Sequence, residues 1–169
     1  MSRLTREEVL ARVERGESLA GEDLHGIDLT GASLHSALFA GADLSYADLG
    51  GADLRGADLS AVQLCMANIE KAELGGAILA GADLTGAVLE GAAAAGAVFA
   101  GADLLGTSCR GAHLRQADLS GANLSGASFR GADLTAARLY GANLHRTDFG
   151  NAELSGAFFG KPAAAGGGS

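Results

Sequence analysis

A solenoid is the fold class that this chain of 169 residues predicts, and three observations predict it. From Gly21 the sequence falls into five-residue units, GEDLH GIDLT GASLH SALFA GADLS YADLG, and the frame runs without a slip to Gly160. The fourth residue of nearly every unit is large and apolar, while the second is almost always Ala. The composition suits a narrow, repetitive interior, with 48% hydrophobic residues but only 5% aromatic, 27 glycines, one proline and no tryptophan. A fixed short period marks repeat architectures, and five matches neither the 3.6-residue turn of a helix nor the two-residue alternation of a flat strand.

The elements follow in chain order. In the lead-in, residues 1–20, Thr5 and Glu8 have the spacing of a capping box, and Leu4 with Val9 can form its hydrophobic staple. Val9, Leu10 and Val13 then share one helix face, and Gly16 is placed to stop the helix. A short helix over 6–15 is predicted, its apolar face plugging the first coil of the repeat body. Glu22 and Ile27 stand where Ala is the rule, so that first coil should be irregular.

The repeat body, residues 21–160, holds twenty-eight units. Their fourth residue is Leu in twenty, and otherwise Phe39, Phe99, Phe129, Phe149, Phe159, Ile69, Cys109 or Ala94. Gly, frequent at the first position, supplies backbone freedom at corners. Asp or Asn at the third can hydrogen-bond nearby amides, as in turns. Ala94 is a defect, because truncating a packed Leu to Ala costs about 2–5 kcal/mol. Phe99, the next fourth-position residue, can lean into the gap; a functional soft spot is the alternative. After Phe158 and Phe159 comes an Ala/Gly-rich segment, 161–169, expected to be a flexible tail.

The recurring Ala42-Asp43-Leu44, Ala82-Asp83-Leu84 and Ala122-Asn123-Leu124 resemble the A(D/N)LXX pattern of the bacterial pentapeptide-repeat proteins, and the resemblance covers residues 21–160. It implies an all-β solenoid, a right-handed quadrilateral parallel β-helix of about seven coils with the short N-terminal helix as its cap. Four units make one square coil, with the fourth residue and the small residue two before it pointing inward. Coils stacked at about 4.8 Å give a rod about 30–35 Å long. Each coil pairs only with its neighbours, so both ends need caps.

Residues twenty apart then stack on one side of the square. One side carries Asp23, Asp43, Gln63, Asp83, Asp103, Asn123 and Asn143. Neighbouring carboxylates about 5 Å apart repel by roughly 1 kcal/mol in water, and the amides relieve this. The second side carries Asp28, Asp48, Asn68, Val88, Ser108, Ser128 and Asp148, and the third Asp53, Glu73, Ala93, His113, Asp133 and Glu153. The fourth differs, with Leu38, Asp58, Ile78, Val98, Asp118, Arg138 and Phe158. Leu38, Ile78, Val98 and Phe158, with Tyr140 beside them and Val88 extending the patch around the corner, form a candidate interaction face. Unremarkable Ala/Val drift is the alternative. Asp43, Asp48, Asp53, Asp58, Asp83 and Asp103 form a candidate acidic surface.

The formal net charge of −8 is uneven. Residues 21–85 carry ten acidic side chains against Arg55 and Lys71, whereas 101–161 carry five against five Arg and Lys161. Phosphate binding needs concentrated positive charge, so nucleic acid is not expected as a direct ligand. No run approaches the roughly 18 apolar residues of a membrane span. Acidic residues stand where a secretory signal would be apolar, so no membrane partner is expected and the expected compartment is the cytoplasm. His25, His35, His113 and His145 lack partners at metal-ligand spacing, Cys65 points outward, and Cys109 replaces a central Leu. Free thiols are expected, and neither cofactor, metal nor catalytic residue is identified, so an enzyme is not expected.

These observations point to a non-catalytic interaction module that presents a rigid rod to a protein partner, whose identity the sequence does not give. A second copy of the chain, docking through the apolar face or the C-terminal end, is one such partner. The family resemblance implies an alternative, a DNA-mimicking modulator of DNA gyrase that protects against topoisomerase poisons such as quinolones.

Overall fold

The computed structural model describes residues 3–160; the expected tail at 161–169 lies outside them. Helix α1, Arg6–Glu14, begins at the predicted capping box: the Glu8 amide donates to Thr5 Oγ1 at 3.2 Å, and the Thr5 amide donates to Glu8 Oε2 at 2.8 Å. It ends on Gly16, at φ +67°, a backbone state that L side chains resist. There the Gly16 amide donates to Val13 O and the Glu17 amide to Arg12 O, each at 2.9 Å, closing a Schellman motif. Val9 is fully buried, and Leu4, Leu10 and Val13 pack half-buried against the same core.

The remainder of the described chain is a parallel β-helix. Every third-position residue from Asp23 to Arg138 forms a parallel bridge with the residue twenty further on, giving four columns. The first column starts at Asp23, the second at Asp28, the third at Ser33 and the fourth at Leu38, and each holds seven residues. One unit shows how five residues turn a corner. The Ala42 amide donates back to Phe39 O at 2.9 Å, closing the turn. Asp43 donates to Glu22 O in the preceding coil at 2.9 Å, whereas Leu44 and Tyr46 donate to Gln63 O and Cys65 O in the following one at 2.8 and 2.9 Å. Three of the four amide bonds in each interior unit therefore join coils.

Every first-position residue from Gly21 to Gly156 has positive φ, which explains why Gly dominates there. Nine corners nonetheless carry side chains at φ +52° to +59°: Ser36, Tyr46, Ala61, Met66, Lys71, Gln116, Ala136, Arg146 and Asn151. Inside the square, the Leu and Phe rows and the Ala rows from Ala32 to Leu139 are almost completely buried. Ala94 and Phe99 both have 0% exposure. Thr107 and Thr147 replace second-position alanines, and their hydroxyls donate to Leu84 O and Leu124 O at 2.8 Å.

The two ends differ chemically. The first coil keeps the frame despite Glu22 and Ile27, Glu22 being paired with Arg12 at 2.8 Å. Its exposed carbonyls receive arginines: Arg6 donates to Asp28 O at 3.0 Å and to Thr30 O at 2.9 Å. At the other end Leu144, Phe149 and Leu154 are half-buried and Phe159 is 42% exposed. Phe158 and Phe159, both partly exposed, leave the last coil partly open among the described residues.

Candidate interaction surface

In the fourth column Ile78 and Val98 are bridged neighbours, Ile78 exposed and Val98 half-buried, with the small side chains of Ala80 and Ala100 beside them. Asp58 bounds this pair at one end and Asp118 at the other. Arg138 reaches back to Asp118 at 3.5 Å, and burial pushes the Asp118 carboxyl up while Ser120 and Arg138 together hold it below its ordinary value. Leu38 is thus cut off from Ile78 by Asp58, and Phe158 from Val98 by Asp118 and Arg138. Tyr140, 40% exposed, follows Arg138 in this separate C-terminal group.

Val88 does not extend this patch around a corner, contrary to the sequence expectation. It bridges Asn68 and Ser108 in the second column, which the first and third columns separate from the fourth on either side. The six residues therefore fall into a central Ile78–Val98 pair, two ends, and one residue on the opposite side.

The six candidate acidic residues likewise do not share a side. Asp43, Asp83 and Asp103 stand in the first column, Asp48 in the second, Asp53 in the third and Asp58 in the fourth. Each carboxylate accepts the amide two residues on: Ser45, Gly50, Arg55, Ser60, Thr85 and Leu105, at 2.9 to 3.2 Å. Their first task is to hold corners. Arg55 binds Asp53 through its side chain and amide and lowers that carboxyl to about 2. The Ser60 hydroxyl and amide hold Asp58 below its ordinary value.

Cys65 and Cys109 are both free. Burial pushes the Cys109 thiol up to about 12, as suits an inert core residue. Cys65 is half-buried and donates to Asp83 Oδ2 at 3.2 Å; burial, then Asp83, raises its thiol. Among the described residues no group of His, Cys, Asp and Glu has metal-binding geometry, and no helix is long and apolar enough to cross a membrane. A cleft of about 340 Å³ lies beside α1, lined by Leu10, Val13, Glu14, Ser33 and His35.

The sequence reading missed three large exposed apolar side chains. Tyr46 (60% exposed), Met66 (56%) and Leu105 (44%) line the corner between the first and second columns. Tyr46 and Met66 are two of the nine side chains in left-handed corner positions, a departure from Gly that is visible in the sequence. The His25 ring packs on Tyr46 with centroids 5.2 Å apart.

A profile of pentapeptide repeats matches the chain in eight copies across residues 23–60, 66–97, 95–131 and 127–160. The chain belongs to the pentapeptide-repeat family. Among solved pentapeptide-repeat structures it is similar to HetL, involved in heterocyst differentiation regulation in the cyanobacterium Nostoc sp. strain PCC 7120, at 27% identity over 93% of this chain and 98% of HetL (TM-score 0.32). A pentapeptide-repeat protein of the Arabidopsis thaliana thylakoid lumen is 31% identical over 65% of this chain and 63% of its own (TM-score 0.38). Trypsin-treated QnrB1, a plasmid-mediated fluoroquinolone resistance protein, is 22% identical over 87% of this chain and 85% of its own (TM-score 0.49). No curated protein matches the chain.

Proposed function

We propose that this pentapeptide-repeat chain is a non-catalytic interaction module, a right-handed rod of about seven coils that docks a protein partner on its fourth side. In this organisation the segment 1–20 contributes the capping helix and 21–160 form the rod, while 161–169 lie outside the described residues. The supporting observation is the Ile78–Val98 pair, apolar and accessible in a column position that Asp or Asn usually fills and bracketed by Asp58 and Asp118. The arrangement suits a partner surface with an apolar centre flanked by basic groups. Apolar burial tolerates salt, whereas exposed charge attraction is screened within about 8–10 Å.

The test is affinity capture from lysate of the source cells, comparing the native chain with Ile78→Asp and Val98→Asp. A protein retained at high salt by the native chain and lost with both variants is the expected result. Capture unchanged by either variant refutes the fourth side as the docking surface. In parallel, a gyrase supercoiling assay with and without a quinolone is expected to show no effect, because the carboxylates are dispersed over all four sides. Drug protection that disappears when Asp43, Asp48, Asp53 and Asp58 are neutralised would instead establish the DNA-mimic alternative.

A further inference from the structure

The second side of the square carries a charge pattern that the other three lack. Its fifth-position residues run Thr30, Gly50, Glu70, Glu90, Arg110, Arg130 and Gly150 along the rod. Two acids in consecutive coils are followed by two arginines in the next two. All four are accessible: Glu70 and Arg130 keep 45% and 50% of their side-chain surface, Glu90 is half-exposed and Arg110 exposed. Arg110 makes no ion pair among the described residues. Such a ladder is complementary to itself when reversed.

We propose that the second side is the contact surface of an antiparallel homodimer, with a twofold axis crossing the rod between the coils of Val88 and Ser108. This symmetry sets Glu90 against the partner's Arg110 and Glu70 against the partner's Arg130, each pair occurring twice. The opposite edge of the same side fits the same operation. Tyr46 meets the partner's Arg146, a cation over an aromatic face. Met66, whose thioether lies over Gly86 of its own chain, meets the partner's Gly126, a protruding side chain against a glycine corner, and Leu105 meets the partner's Thr85. Between the edges Val88 meets the partner's Ser108. The one like-charged pair, Asp48 with the partner's Asp148, lies far from the axis. Each of these carboxylates is already bonded within its own chain, Asp48 by Asn68 at 2.9 Å and Asp148 by Arg130 at 3.2 Å.

Backbone conformation supports the assignment independently of charge. On this corner ridge three residues depart from Gly, and all three are placed in contacts by the twofold: Tyr46, Met66 and Arg146, at φ +59°, +57° and +55°. Side chains kept in an unfavourable backbone state point to a use for them. The face offers on the order of 1,000 Å² in total, the low end for specific association, so the dimer is reversible.

Sedimentation equilibrium of the full chain is the test, with charge reversals as probes. Glu90→Arg and Arg110→Glu are each expected to raise the dimer Kd by about tenfold or more, since each puts like charges across the axis. An equimolar mixture of the two variants should regain dimerisation as a heterodimer, and the double reversal in one chain should regain it as a homodimer. Circular dichroism of each variant confirms that the fold persists. A native chain that stays monomeric to about 100 μM, well above the micromolar range of weak specific complexes, overturns the proposal. So does a dimer indifferent to both reversals but broken by Phe159→Asp or Ile78→Asp. The last of these isolates the fourth side, so loss of the lysate partner and loss of the dimer are separable.

Discussion

Ala94 and Phe99 are expected to act as one unit in the core, and a double-mutant cycle measures it. Their coil points Leu84, Leu89, Ala94 and Phe99 inward, all essentially inaccessible. Ala has three side-chain carbons fewer than Leu and Phe has three more, so this coil encloses the same number of inward carbons as four leucines. Ala94→Leu alone adds three carbons to a filled layer, and overpacking of this kind costs about 1–3 kcal/mol. Phe99→Leu alone removes three, costing about 2 kcal/mol at ~0.8 kcal/mol per buried carbon. Ala94→Leu with Phe99→Leu rebuilds a four-leucine layer and should fall within about 1 kcal/mol of the native chain, a favourable coupling of about 2–4 kcal/mol. Urea unfolding followed by circular dichroism is the assay, with the slope compared among variants to confirm that the same surface unfolds. Additive single effects, or stabilisation by Ala94→Leu alone, would show that the space beside Ala94 is empty and that Phe99 does not fill it.

Three further predictions follow from the hydrogen bonds. Thr107→Val keeps the shape but removes the hydroxyl from Leu84 O, and should cost about 1 kcal/mol in urea unfolding because that carbonyl still accepts the Ala87 amide. Arg6→Met retains the packed stem but exposes Asp28 O and Thr30 O, and should cost about 1–2 kcal/mol, with hydrogen exchange accelerating first in the coil beneath α1. Asp53, Asp58, Asp133 and Asp148 all have folded pKa values lowered by their local donors. Their contribution to stability is therefore complete above the unfolded Asp value near 3.8 and is lost as pH falls through the folded values, down to about 2 for Asp53. The urea midpoint should be flat from about pH 7 to 5 and fall below about pH 4, and a midpoint that falls already between pH 6 and 5 would contradict this.

The register was legible because a strict period leaves one way to stack units. Counting by twenties places Asp43 under Asp23 and Val98 under Ile78, as the bridges do. Corner chemistry was legible too, since Gly at the first position and Asp at the third have separate reasons to be there. Contiguity was less legible. Val88 looks near Ile78 along the rod, but two units around the coil carry it to the other side of the square. Tyr46, Met66 and Leu105 escaped notice because apolar side chains at corner positions belong to no periodic stripe. The Arg6 contacts lie beyond pattern reading altogether, because they depend on how α1 meets carbonyls twenty-two and twenty-four residues away.

The hydrogen-bond polarity of the coils constrains what each end can meet. Within the rod, fourth- and first-position amides donate to the following coil, and third- and fifth-position carbonyls accept from the preceding one. The first coil therefore presents acceptors, and cationic side chains are the natural cover; Arg6 and Arg3 supply it, the latter reaching His25 O at 3.4 Å. The last coil presents the opposite set. Among the described residues the amides of Leu144, Arg146, Phe149, Asn151, Leu154 and Gly156 find no backbone acceptor. The second-position carbonyls of Ala142, Thr147, Ala152 and Ala157 receive no backbone amide either, but donors are in excess there, and carbonyls or carboxylates beside an apolar plug would satisfy them. The sides of the rod are under no such constraint, because each coil's backbone is satisfied by its neighbours whatever points outward. Departures from the repeat on a side therefore cost the fold little and are free to serve recognition, which is why Ile78, Val98 and the Glu70–Arg130 ladder carry the functional argument and the buried leucines do not.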